Sequence, residues 1–198
     1  MVSAAEHLDE LRDALTRLEP SLAAVERQGR IIGRALAGGA RLLAVGNGGS
    51  AAQAEHLTAE LVGRFDGDRR PLAGISIGAE YPSTTAIVND YGPEDAFVRP
   101  VRAHGRQGDV LVALSTSGRS RNVLAAVAAA HDAGMATLAL TGPAPNPLAA
   151  VCHDAITVDA DRTATVQEVH QVLIHLLCIG IDEAVRELDR PATAAWAP

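Results

Sequence analysis

Two apolar runs of this chain each end in a turn of glycines and hydroxyls and pass straight into a helix-forming stretch, an arrangement that few folds can use twice. Arg41 to Val45 has the composition of a buried strand, Gly46-Asn47-Gly48-Gly49-Ser50 forms the turn, and helix formers follow from Ala51. Asp109 to Leu114 repeats the strand, Ser115-Thr116-Ser117-Gly118-Arg119-Ser120 the turn, and an alanine-rich helix follows from Arg121. A helix start carries orphan N–H donors and partial positive charge, so hydroxyls and a glycine crowded there suit a phosphate. The turn from Ser115 is therefore read as a phosphate cradle. Serine and threonine also serve there as plain helix caps; the second turn in an equivalent place is what favours a ligand.

Short apolar segments near residues 41–45, 71–77, 109–114, 136–140 and 154–158 alternate with helical stretches, which implies an α/β fold with a five-stranded parallel sheet flanked by helices, flavodoxin-like in type. Ligands of such sheets gather at the carboxyl ends of the strands, so one cleft can be lined by both turns. A dinucleotide site wants an acidic residue closing the second strand. Here Pro71 to Ile77 runs into Gly78-Ala79, with Glu80 displaced, which disfavours a nucleotide. Ahead of the sheet, residues about 4 to 37 give two helical stretches around Pro20, with Leu22, Val25, Ile31, Ile32 and Leu36 as the apolar stripe. Glu94 to Ala103 reads as a helix kinked at Pro100, residues 142–147 as a stiff three-proline loop, and Val166 to Leu188 as the last long helix. The division expected is an N-terminal helical segment at 1–37, one domain at 38–188 and a disordered tail at 189–198.

At 198 residues and 47% hydrophobic the chain can build one well-cored domain. A net charge of −7 and an aromatic content of 3% speak against a nucleic-acid face or a base-stacking platform. The run Val123 to Ala130 is too short to cross a membrane, and Glu6, His7, Asp9 and Glu10 break the pattern of a signal peptide. A cytoplasmic location without membrane or nucleic-acid partners is expected, with Cys152 and Cys178 as buried free thiols.

His56 and Glu60 stand four residues apart on the helix leaving the first turn and so share a face. Together they can bind a metal or pass protons, or they form a simple surface pair. The last helix gathers Gln167, Glu168, His170, Gln171 and His175 among apolar residues. Glu168 and Gln171 read as a solvated face. His175, flanked by Ile174, Leu176 and Leu177, is a functional imidazole or a buried one satisfied by a backbone carbonyl.

With Gly46-Asn47-Gly48-Gly49-Ser50, His56 and Glu60, Val88-Asn89-Asp90-Tyr91-Gly92, the Ser115 to Ser120 turn, and Gln167-Glu168 and His170 with His175 downstream, the chain resembles the phosphoheptose isomerases of the sugar isomerase (SIS) domain family, over nearly its whole length to about residue 188. The resemblance implies interconversion of sedoheptulose 7-phosphate and D-glycero-D-manno-heptose 7-phosphate, the entry step of nucleotide-activated heptose synthesis. It places Asn47, Gly48, Gly49, Ser50, Glu60, Asn89, Asp90 and Gln167 on the sugar and Ser115, Thr116, Ser117 and Ser120 on its phosphate. It makes Glu60 and His175 the acid/base pair, and His56, Glu60, Gln167 and His175 the ligands of one zinc ion per subunit. It also implies a homotetramer joined partly through the N-terminal helices, with active sites at subunit interfaces. Two departures stand out: Thr165-Val166 where members commonly carry an arginine, and the proline loop in place of a glycine-rich stretch.

Related non-catalytic proteins set the alternatives. A DnaA initiator-associating protein, which regulates replication by protein binding, would lack the equivalents of Glu60 and His175, and both are here. Regulatory SIS modules fused to a helix-turn-helix need length and basic charge that this chain lacks. An isomerase making a different heptose 7-phosphate stereoisomer is the other alternative. One geometric difficulty follows from helix dimensions: Gln167 and His175 differ by roughly 12 Å along one helix axis. Either they reach one site from different subunits, or Gln167 serves the sugar.

Overall fold

The computed structural model describes residues 2–189. The first helix, α1 (Ala4–Leu18), is started by a capping box in which the Ser3 hydroxyl accepts the Glu6 N–H and the Glu6 carboxylate accepts the Ser3 N–H. A 3₁₀ turn at Glu19–Ser21 carries Pro20, and α2 (Leu22–Ala37) follows. The alternating part then runs β1 (Leu42–Val45), α3 (Gly49–Val62), β2 (Gly74–Ser76), α4 (Tyr81–Tyr91), α5 (Val98–His104), β3 (Val110–Ser115), α6 (Arg121–Asp132), β4 (Ala136–Thr141), α7 (Pro147–Val151) and β5 (Asp154–Thr157), closing with α8 (Thr163–Asp189).

All neighbouring strands pair in parallel, in the order β2-β1-β3-β4-β5. Side chains alternate across each strand. Leu42, Ala44, Val110, Val112 and Leu114 therefore face a core shared with α1, α2, α3 and α8, while Leu43, Val45, Leu111 and Ala113 face α5 and α6. The adjacent strands β1 and β3 send their following helices to opposite faces, which opens a crevice at their carboxyl ends. Both glycine turns sit there.

The expected helix from Glu94 to Ala103 is instead split into a 3₁₀ turn at Pro93–Ala96 and α5, with Phe97 between them. Pro100 falls within the first turn of α5, where a missing N–H costs no hydrogen bond, so the break lies upstream of the proline. Asp189, expected in the tail, ends α8 instead, and residues 190–198 of the expected tail lie outside the described residues. Cys178 is buried but Cys152 is only half-buried; burial pushes their thiols up to about 12 and about 11, which leaves both poor nucleophiles.

Helix α8 is long and apolar enough by composition to cross a membrane, yet 56% of its apolar stretch is buried inside this fold. Its tightest neighbour is α2. A Cβ at Gly29 would sit 2.6 Å from the Leu177 carbonyl oxygen, and one at Gly180 2.8 Å from the Glu26 carbonyl oxygen. The two backbones thus meet through Gly29, Gly33 and Gly180, and no larger residue fits without separating the helices. Gly180→Val should therefore cost about 3 kcal/mol or more through overpacking against backbone. A melting temperature lowered by on the order of 10 °C is the expected reading; an unaltered one would show that the crossing tolerates a side chain.

Candidate active site

Ser120 occupies the N-cap of α6 but makes no capping bond; its hydroxyl lies 3.1 Å from that of Ser115 instead. Ser117 Oγ accepts the Arg119 N–H, so the hydroxyls organise the turn and leave the helix start without a side-chain cap at Ser120. Gly118 holds a φ of +61°, and a Cβ there would overlap the buried Asn146 amide. Asn146 caps α7 by accepting the Ala149 N–H, and Leu148 donates its N–H to the Gly118 carbonyl. The proline loop thus buttresses the turn from beneath, and Thr141 donates its hydroxyl to the Ser115 carbonyl at 2.7 Å. These contacts hold the turn rigidly at the start of α6.

The first turn faces it. Gly48, with φ +54°, precedes α3 and offers no side chain to cap it, while Asn47 and Asn122 exchange two amide hydrogen bonds at 2.9 and 2.8 Å. Gln167 packs on Gly49 so closely that a Cβ there would lie 2.5 Å from its Nε2, and Gln53 donates to the Gln167 carbonyl.

Further along the same helices, His56 Nε2 lies 3.1 Å from Glu60 Oε1 and 3.1 Å from His175 Nε2. Gln171 Nε2 is 3.3 Å from the same nitrogen of His175, and Phe65 lies against the His175 ring. Of the two facing imidazole nitrogens one carries the proton and the other accepts it, so the His56–His175 contact fixes opposite roles on the two rings. Helices α3 and α8 run side by side in the same direction, so Gly49 meets Gln167 and, two turns on, His56 meets His175. A buried ion pair fixes that register: Arg69 Nε binds Asp182 Oδ1 at 2.7 Å, both side chains 3% exposed, and the guanidinium also donates to the Glu60 and Leu61 carbonyls.

One donor atom from each of His56, Glu60 and His175 lies within 4.8 Å of the others. Tetrahedral zinc with nitrogen and oxygen ligands near 2.0–2.1 Å sets its ligand atoms about 3.3 Å apart, so this donor set fits such an ion. Gln167, expected with them, stays beside Gly49. Asn89 and Asp90 end α4, exposed and hydrogen-bonded to each other; among the described residues they make no hydrogen bond to either turn. Glu168 departs from a solvated face by pairing with His7 of α1 at 2.9 Å, and Gln171 does so by touching His175. Asn122, Gln171, Arg69 and Asn146 escaped sequence reasoning because each acts through a neighbour rather than through a motif. Thr165 is fully buried, so the position where an arginine was missed serves packing. A cavity of about 730 Å³ lined by Arg30, Asp68, Arg69, Glu183 and Arg186 contains no motif residue.

These features define a sugar-phosphate-binding α/β domain. The model of the SIS domain family matches residues 6–142. The phosphoheptose isomerase of Streptomyces coelicolor is 53% identical over 96% of this chain and 82% of its own length. The structure of phosphoheptose isomerase from Neisseria gonorrhoeae superposes with a TM-score of 0.84 at 41% identity, covering 90% of this chain and 96% of that one. That from Francisella tularensis does so with 0.81 at 30% identity, covering 92% and 100%. The chain belongs to the SIS domain family, on its phosphoheptose isomerase branch.

One buried group near the site has a pH signature. His170 is fully buried on α8 and neither ring nitrogen has a hydrogen-bond partner of good geometry. Burial pushes its imidazole down to about 4, only partly opposed by the Thr141 carbonyl. Below about 6.5 the unfolded chain takes up a proton that the fold refuses, so this group lowers stability as pH falls from there to about 4, by about 3 kcal/mol in all. Urea unfolding at pH 7 and pH 5 should show the natural protein losing about 2 kcal/mol more than His170→Leu over that interval. Equal losses would clear His170 of the effect.

Proposed function

We propose that the protein is a phosphoheptose isomerase interconverting sedoheptulose 7-phosphate and D-glycero-D-manno-heptose 7-phosphate, at the entry to nucleotide-activated heptose synthesis. The observation that carries this is the meeting of Glu60, His56 and His175 in the crevice that also holds an anion cradle. A replication-regulating relative has no use for that convergence.

The sugar's phosphate is held by Ser115, Thr116, Ser117 and Ser120 with the N–H groups of α6, and its hydroxyls by Asn47, Gly48, Gly49, Ser50, Asn89, Asp90 and Gln167. Glu60 takes a proton from C1 of the ketose, giving an enediol, and returns it to C2. His175, unprotonated at Nε2, accepts the O1 proton and delivers it to O2. No electrons leave the substrate. Zinc held by His56, Glu60 and His175 would polarise the carbonyl as a Lewis acid. Neither Glu60 nor His175 could hold the ion and take a proton through the same lone pair, so both are then shared between ligand and proton transfer, and Gln167, seated on Gly49, belongs to the sugar.

A homotetramer accounts for surfaces that one chain leaves open. Helix α4 has no buried residue, with Tyr81 76% and Tyr91 55% exposed, and Leu8 and Ile31 of the N-terminal helices are exposed too. A neighbouring subunit over the crevice would complete it. In this reading residues 1–37 serve assembly, 38–188 the chemistry, and the enzyme works in the cytoplasm.

Glu60→Gln and His175→Gln should each lower kcat by about 10²- to 10⁴-fold while light scattering still shows the tetramer; full turnover of sedoheptulose 7-phosphate by either, followed by NMR, would remove that residue from proton transfer. Dialysis against a chelator should depress turnover and added zinc restore it; indifference to both would leave the triad to proton transfer alone.

A further inference from the structure

The amide pair Asn47–Asn122 is the direct hydrogen-bonded bridge between the two turns, and neither composition nor motif accounts for it. Its place follows from the sheet. Val45 and Ala113 are register partners on β1 and β3, so the two turns start level, and α3 and α6 then leave on opposite faces. The pair spans the crevice at the carboxyl ends of β1 and β3, joining the turn before α3 to the first turn of α6.

The two amides are not equivalent. Asn122 Oδ1 also accepts the Val123 N–H at 3.0 Å, which fixes its carbonyl on its own helix and leaves its NH₂ directed at Asn47. Asn47 is exposed on a glycine turn and has no such second tie. A side-chain amide offers donors and an acceptor at once, the complement of a sugar hydroxyl, and each amide here currently satisfies the other in place of one.

We propose that Asn122 is a sugar-recognition residue: it holds the Asn47 amide poised in the free protein, and on binding its NH₂ donates to a mid-chain hydroxyl of the phosphorylated sugar while Asn47 takes the neighbouring one. This rests on the isomerase reading above. Asn122 touches no reacting carbon, so its loss appears in affinity. The phosphate contact, made by the Ser115 to Ser120 turn, does not depend on it.

The test is steady-state kinetics and calorimetry with sedoheptulose 7-phosphate on Asn47→Ala, Asn122→Ala, Asn122→Asp and the double alanine variant, with inorganic phosphate as competing inhibitor. Asn122→Ala should raise KM and the calorimetric Kd roughly tenfold, about the worth of one or two hydrogen bonds, with the loss in kcat below threefold. The phosphate inhibition constant should stay within twofold. The double variant should lose more than either single variant but clearly less than the product of their losses, because each amide takes its own hydroxyl while Asn122 also poises Asn47. Asn122→Asp keeps an acceptor for the Val123 N–H and suits a helix start, so it should retain the melting temperature and still lose sugar affinity. An unaltered KM, a phosphate constant that rises in step with KM, or additive losses would overturn the proposal. Wild-type protein that binds the sugar without turning it over would sink the isomerase reading while the Asn122 comparison is still read in Kd; absence of sugar binding would overturn both.

Discussion

The buried ion pair between Arg69 and Asp182 is the contact on which the site depends. Two charges removed from water in this way stabilise little by themselves, but the Arg69 guanidinium also satisfies carbonyls at the carboxyl end of α3 that no helical N–H can reach. One side chain therefore ends α3 and ties that end to α8. With the far ends joined at Arg69 and the near ends at Gly49 and Gln167, the helices cannot slide, and His56 is held opposite His175. The glycine crossing of α2 on α8 supports the same helix from its other side. The chemistry rests on a framework determined by residues that never meet a substrate.

The cradle shows a similar division of labour. Its hydroxyls resemble caps in sequence, yet Ser120 turns toward Ser115 and makes no capping bond at the start of α6. That choice has a structural cost, and the surrounding contacts offset it: Asn146 beneath Gly118, Leu148 on the Gly118 carbonyl, and Thr141 on the Ser115 carbonyl. The prolines that stiffen residues 142–147 make sense as the foundation of this turn.

Much of this was legible in the chain. The βα alternation gave the five parallel strands because fully buried strands read as short apolar runs, and the i, i+4 spacing put His56 and Glu60 on one face because helices have 3.6 residues per turn. What was hidden depended on pairing between distant segments. Nothing local to Gln171 or Asn122 says that one lies against His175 and the other against Asn47. The break at Phe97 was missed because a proline in a first turn and a proline inside a helix look alike until the start of the helix is known. Glu168 seemed solvated because its partner, His7, stands 161 residues away.

The parallel course of α3 and α8 has an arithmetic side. From Gly49 to His56 is seven residues, or about 10.5 Å of helix, and α8 matches it with the eight from Gln167 to His175. This interval sets how far the triad stands from the glycine turn, where Gln167 packs on Gly49. Lengthening or shortening α3 by a single residue between Gly49 and His56 would turn His56 by about 100° away from α8, so the triad assembles only at this spacing.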